Sequence, residues 1–476
     1  MNGNSAEGGV LIPLSDDAEP AEAWSPLVDP RLSMTAQVYR LATPVLIEQA
    51  LLYLVGLSDT ILTGRYLGEQ HLAAITVSSY LFWFLGSLMT VVSVGATALV
   101  ARLTGAREPA RANRITQQAV TLALFLGIVV AVLGEFVVGG LVRLLNLEGN
   151  AAADATFFLR AVLLSVPLGA IMTAGIACLH GVGDTRTGMW VMFLVNAVNV
   201  GLAWPLVRGF GPIPPLGFPG IVAGTAISEG VGGVAILAIL VRGRSGLRLS
   251  WPGARPDWPE CWRILRISLP ASGESLTTIV CQLWFLGLIN RLGPTATAAH
   301  GVAIRCEALA FLTATAFSIA ARTLVGQYLG AGRPDQAARA GRAAWGHGVV
   351  ALTLIGALLY WGAGAMLDLF LGGRQPAVVA AGIPVLRIVA FALPFLATMN
   401  ILTGALQGAG DTRWPWLIVL VGYFGLRIPL TYALTDPAWF DLALRGAWLA
   451  MFADLALRGI LMAARFQHGG WREIRI

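Results

Sequence analysis

"HGVGDTRTG" occupies residues 180–188 and "QGAGDTRWP" residues 407–415. The tetrapeptide Gly-Asp-Thr-Arg thus occurs twice, 411 − 184 = 227 residues apart. Other stretches keep nearly the same distance. "LTGAREPARANR" (103–114) faces "LGAGRPDQAARAGR" (329–342), so that Gly105 meets Gly330, Pro109 meets Pro334 and Arg114 meets Arg339, each at 225. "TPVLIEQ" (43–49) faces "LPASGES" (269–275), pairing Pro44 with Pro270 and Glu48 with Glu274 at 226, and Arg160 meets Arg387 at 227. A register held through turns, helix interiors and charged loops marks one unit duplicated along the chain.

The material between these words is apolar. Of 476 residues 56% are hydrophobic and 12% charged, and the mean hydropathy is +0.72, a balance that belongs to a polytopic membrane protein. A hydrocarbon core of about 30 Å takes about 20 apolar residues per helical span. Tracts of that length occur at 40–64, 72–101, 116–142, 156–180, 187–208, 219–242, 264–290, 297–327, 343–371, 378–406, 414–435 and 444–464. Stretches such as "TLALFLGIVVAVLG" are apolar all round rather than alternating, which excludes a β-barrel. The expected fold is an all-α polytopic membrane protein with twelve transmembrane helices in two pseudo-symmetric six-helix bundles. Six spans per half make the halves parallel, related by an axis near the membrane normal. The expected boundaries are a disordered cytoplasmic tail at 1–37, an N-lobe at 38–243, a cytoplasmic linker at 244–263, a C-lobe at 264–466 and a cytoplasmic tail at 467–476.

The net charge of +6 is arginine's alone, because the chain has no lysine. Arg102, Arg107, Arg111 and Arg114 follow span 2, six arginines from Arg242 to Arg266 join spans 6 and 7, and Arg333, Arg339 and Arg342 follow span 8. These are loops on one side of the membrane, and the positive-inside rule makes that side and both termini cytoplasmic. The arginines therefore set orientation, and no nucleic-acid partner is expected. Residues 1–37 carry acids and prolines and do not resemble a cleaved signal peptide. Cys178, Cys261, Cys281 and Cys306 have no metal-ligand spacing and read as packing residues. No phosphate-binding loop or nucleophile elbow is present, so neither an enzyme nor an ATP-driven pump is expected, and no cofactor. Within each repeated word, Gly183 and Gly410 supply a turn, Asp184 and Asp411 can cap the next helix, and Arg186 and Arg413 anchor at the headgroups. These six residues are expected to be structural, and the alternative reading is a part in closing the inner gate.

Taken together, "LSDTILTGRYLG" (57–68), "AAHGVAIRCEALAF" (298–311), "LVGQYLGAGRPDQA" (324–337), both Gly-Asp-Thr-Arg words and "LRIPLTY" (426–432) resemble the multidrug and toxic compound extrusion (MATE) family, and within it the DNA-damage-inducible subgroup. The likeness covers 40–476. It implies two lobes in a V and export of amphipathic, often cationic compounds in exchange for H⁺ or Na⁺. Small organic substrates and membrane lipids are the expected partners, and a monomer is the default.

Acids kept inside spans are functional candidates by default, since each costs about 2.5 to 3.5 kcal/mol to insert. Asp59 of "SDT" matches the family's first-helix aspartate and is implied in cation coupling. Asn196, Asn199 and Ala203 share one face of span 5. The family commonly has aspartate at the last of these positions, and alanine there puts a direct transfer of its cation site in doubt. Asn196 and Asn199 can supply oxygens, and Glu229 in span 6 is expected to restore the missing charge beside Asp59. Glu48 lies eleven residues before Asp59 on nearly the same helix face, about 16 Å along the axis. Glu48, Glu274, Gln282 and Tyr53 are the candidates for substrate contact, with Phe82, Trp83, Phe84, Trp284 and Phe285 as further aromatics able to stack on a cation. Glu307, Arg305, Arg387, Arg427 and Asp454 are expected to hold the C-lobe together, and His300 to pack. A flippase for a lipid-linked oligosaccharide is the alternative reading, and it calls for a strongly basic cavity.

Overall fold

The computed structural model describes residues 32–144, 149–209, 211, 214–250, 255–372 and 375–476. Among the described residues, twelve helices are long and apolar enough to cross a membrane. The first six are α1 (Met34–Tyr66), α2 (Glu69–Gly105), α3 (Pro109–Leu144), α4 (Gly149–Val182), α5 (Thr185–Arg208) and α6 (Phe218–Arg242). The second six are α7 (Trp258–Arg291), α8 (Pro294–Gly330), α9 (Pro334–Leu371), α10 (Pro376–Gly408), α11 (Arg413–Thr435) and α12 (Ala443–His468). Prolines 109, 294, 334 and 376 each stand first in their helix, where a missing N–H costs nothing. Apolar residues such as Phe136, Leu164 and Trp361 are more than four-fifths exposed, which suits hydrocarbon as the surrounding solvent and not water.

The pairing of helices repeats between the halves. α1 packs on α5 as α7 packs on α11, α2 on α4 as α8 on α10, and α3 on α4 as α9 on α10. Across the halves, α1 packs on α8 and α7 on α2. Reciprocal contacts lie on the axis itself. A β-carbon on Gly105 would overlap the Gln327 carbonyl, and one on its counterpart Gly330 would overlap that of Arg102, itself the counterpart of Gln327. These two glycines let the helix ends meet backbone to backbone.

Several hydrogen bonds join the halves toward this end, which is the arginine-rich one. Thr323 donates to the His180 carbonyl at 2.9 Å, Gln327 to the Gly181 carbonyl at 2.9 Å, and Tyr328 to Gln37 Oε1 at 2.9 Å. Deeper, Ser268 Oγ accepts from the Gly95 amide at 2.8 Å. The lobes are therefore joined at one end.

Three boundaries differ from expectation. Residues 1–31 of the expected tail lie outside the described residues, and α1 already begins at Met34 with Ser33 accepting from the Ala36 amide. α7 begins at Trp258, inside the stretch read as linker, since Pro259 and Glu260 start a helix well. Residues 470–476 are docked rather than free. Trp471 is fully buried and stacks on Phe466, Arg102 of α2 donates to the Ile474 carbonyl at 2.7 Å, and Arg263 of α7 donates to the Ile476 carbonyl at 3.4 Å.

Candidate functional site

In the N-lobe three helices converge on one carboxylate. Asp59 of α1 is 4% exposed. Its Oδ2 accepts from Thr225 Oγ1 of α6 at 2.6 Å and its Oδ1 from Asn199 Nδ2 of α5 at 3.3 Å. Asn199 Nδ2 also reaches Thr225 Oγ1 at 3.2 Å, and Asn199 Oδ1 accepts from Ser58 at 2.9 Å. Both donors are neutral, so neither supplies a counter-charge to the buried carboxyl. Ala203 stands where the family commonly has an aspartate. It is fully buried and lies against Gly224, whose own β-carbon would sit 2.8 Å from that of Ala203, so close packing of α5 on α6 fills the space. Glu229 lies one turn beyond Thr225 and accepts from Ser165 of α4 at 3.5 Å. Asn196 bridges helices instead, donating to the Leu51 and Met192 carbonyls at 2.9 Å.

Glu48 is 5% exposed and meets His180 Nε2 of α4 at 3.1 Å, beside Gly188 of α5. In the C-lobe, the counterpart Glu274 accepts from Gln407 at 3.4 Å, and Gln407 in turn accepts from Arg322 at 2.5 Å. Gln282 accepts from Arg427 at 3.1 Å. Arg427 and Arg458 flank the fully buried Asp454 at 3.8 and 2.6 Å, with both guanidinium groups over the Tyr423 ring. A π-helical turn, Val421–Arg427, places Tyr423 and Arg427 here, and Gly422 leaves room for Arg458 and Asp454. His300 packs between Phe285 and Trp448. Arg387 faces outward over Tyr360, and Arg305 is exposed, so neither joins this cluster. Their helix faces point away from the lobe interior.

The repeated words share a turn and then diverge. Gly183 and Gly410 have φ of 89° and 87°, and the next amide reaches back to the Leu179 or Leu406 carbonyl at 2.8 Å. Asp184 caps α5 through the Thr187 amide at 3.0 Å and binds Arg244, whereas Asp411 pairs with Arg465 at 2.7 Å. Arg186 and Arg413 are exposed. Burial alone would raise the Asp184 carboxyl, but donors from Ser245, Thr187 and Arg244 outweigh it and hold the group below the usual carboxylate range.

The family profile described as MatE matches residues 44–204 and 270–433, one segment in each half. The chain belongs to the MatE family. It is 31% identical over 435 residues to the "Multidrug resistance protein NorM" of Burkholderia vietnamiensis, covering 90% of this chain and 92% of that one. It is 29% identical over 438 residues to the "Probable multidrug resistance protein NorM" of Thermotoga maritima, at 92% and 93%. Among solved structures, an outward-facing MATE transporter of the MOP superfamily superposes with a TM-score of 0.85 at 20% identity, covering 92% and 97%. A MOP superfamily transporter from Pyrococcus furiosus does so with 0.84 at 21%, covering 92% and 96%. MatE proteins are transporters, so the chain is no enzyme, and it is a multi-pass membrane protein.

Of the residues singled out in this MatE chain, the fold brings Asp59 and Asn199 together and sets Glu229 one turn beyond Thr225, against Ser165 and within electrostatic range of Asp59. It separates Glu48 from Glu274 across the axis. Tyr53, Phe84, Trp284 and Gln282 are half-buried and Phe285 is fully buried, while the side chains of Phe82 and Trp83 lie outside the described residues. Sequence reasoning missed Thr225, His180, Arg322 and Arg458. Arg458 stands four residues after Asp454, a helical pairing distance, and His180 stands 227 residues before Gln407; both signals were readable.

Proposed function

We propose that the protein is a secondary active exporter of amphipathic, cationic organic compounds, exchanging them for H⁺ or Na⁺ by alternating access of its two lobes. The observation that carries this is the buried Asp59 carboxylate bridging α1, α5 and α6 through Asn199 and Thr225. A proton or Na⁺ arriving there neutralises the charge that draws both donors, which loosens α1 from its neighbours. An ion that binds one arrangement better shifts the population between arrangements. The names of the NorM relatives support drug extrusion. The arginine-rich loops support cytoplasmic termini in the plasma membrane. On that reading the lobes are joined at the cytoplasmic end and the described state faces outward. Glu274 and Gln282 lie on α7, toward the substrate path, and the subgroup placement, the monomeric state and the absence of any cofactor beyond the coupling ion belong to the same proposal.

The experiment is uptake of a fluorescent organic cation into proteoliposomes under an imposed pH or Na⁺ gradient. Asp59→Asn is expected to abolish gradient-driven uptake. Thr225→Val removes one hydrogen bond to a charged group, about 1.5 to 3 kcal/mol, and is expected to shift the half-saturating ion concentration about tenfold or more. Wild-type uptake indifferent to both gradients would overturn the reading.

A further inference from the structure

We infer that residues 469–476 form a clasp across the two halves, with one end anchored in the second half and the other released from the first when the arginine-rich end opens. The anchor is built where α12 stops. Gly469, with φ of 80°, turns the chain off the helix, and Trp471 folds back, fully buried, onto the Phe466 ring with centroids 5.0 Å apart. Its Nε1 donates at 2.8 Å to the Phe466 carbonyl, one of those that a helix end leaves free. Arg472 donates to Asp335 of α9 at 3.3 Å. All of these partners belong to the second half.

The other end crosses over. The Ile474 carbonyl accepts from Arg102 Nη2 of α2 at 2.7 Å, and Nη1 of the same guanidinium is buried with no partner among the described residues. The Ile476 carbonyl accepts at 3.4 Å from Arg263, on the start of α7, which packs on α2 and α3. The two isoleucine side chains divide between the halves. Ile474 packs on the core formed chiefly by α8, α9, α10 and α12, and Ile476 on the core formed chiefly by α2, α3, α4 and the start of α7. Gly410 makes room for the crossing, since a β-carbon there would overlap Ile476 Cγ2 and lie 3.6 Å from Ile474 Cγ2.

The repeat shows that this crossing is peculiar to one half. Arg102 corresponds to Gln327, 225 residues on. Gln327 donates to the Gly181 carbonyl at the end of α4, so symmetry would aim residue 102 at the Gly408 carbonyl at the end of α10. An arginine stands there and reaches the clasp. The segment after α6 is the clasp's counterpart, and it docks on its own half: Arg244 and Ser245 bind Asp184, Leu247 is fully buried, and the Arg248 amide donates to Asn113 of α3. Parting α2 from the second half strands the Arg102 guanidinium and the Ile474 carbonyl and uncovers Ile476, whereas Trp471 and Arg472 keep their partners. Leaving a buried charged donor without its acceptor costs more than the bond itself contributes. Contacts made in only one arrangement shift the balance, and those made in both do not. The crossing end therefore weights the chain toward joined halves.

The test is a distance between spin labels on Ala110→Cys of α3 and Arg339→Cys of α9, both exposed at this end, in lipid nanodiscs without substrate or ion gradient. The four native cysteines are buried and do not compete for label. Arg102→Met keeps the apolar stem and removes the donor, and Ile476→Ser removes the apolar contact at a half-buried position that the fold tolerates. Each is expected to raise the ratio of long to short distances about tenfold, the scale of a hydrogen bond to a charged group and of a typical coupling. Arg472→Gln breaks a bond that lies within the second half and is expected to leave the ratio at its wild-type value. Unchanged distances in both Arg102→Met and Ile476→Ser overturn the proposal, as does an Arg472→Gln protein that opens as far as they do. No transported compound or ion takes part in this measurement, so failure of the exporter reading in the liposome assay leaves it standing.

Discussion

Ala101 and Gly326, counterparts in the two halves, lie against each other: a β-carbon on Gly326 would sit 2.8 Å from that of Ala101. The approximate two-fold axis passes between them, and α2 and α8 meet along it with almost no side chain in the way.

A methyl group one turn further along should pry this contact apart. Gly330→Ala places a β-carbon onto the Arg102 carbonyl, and overpacking of this kind costs about 1 to 3 kcal/mol. The joined arrangement is expected to lose ground to the parted one, seen as faster labelling by a membrane-impermeant thiol reagent at Thr323→Cys. An unchanged labelling rate would mean that the helix ends have slack.

The Asp184 carboxyl, held below its ordinary range, binds fewer protons folded than unfolded across the interval between the two values. Stability supplied by its cap is therefore complete above about pH 4, the unfolded value. It is lost as pH falls through the lowered folded value. Asp184→Ala is expected to reduce stability near neutral pH by about 0.5 to 2 kcal/mol and to remove this acid-side slope, which a series of thermal unfolding curves in detergent would read. A variant with the wild-type slope would count against it.

Removing the acid between two buried arginines should be costlier. Asp454→Asn leaves Arg427 and Arg458, each 2% exposed, without their counter-charge, and breaking a buried pair in this way costs about 3 to 5 kcal/mol. A marked fall in unfolding temperature is expected, larger than for the exposed pair made by Arg160 and Glu135. Equal falls would mean that water already reaches the cluster.

Much of this architecture is legible in the sequence because lipid imposes one length and one polarity on each span, and because duplication writes the order twice. Asp59 is legible because charge within an apolar tract is conspicuous. Thr225 is not, since hydroxyls are common in such helices and nothing local ties residue 225 to residues 59 and 199. Nor does composition reveal that α11 widens into a π turn, which turns Tyr423 and Arg427 inward. Glu229 illustrates the intermediate case: its charge is visible, but how near it comes to Asp59 depends on the rotation of α6, which a period of 3.6 leaves open.

The docked end of the chain has a practical consequence. Trp471 is anchored beneath α12 while Ile474 is gripped by Arg102 from the opposite half, so parting the lobes has to peel this strap from its seat. A label or cross-link attached to this strap would load the very seam whose opening an assay sets out to time.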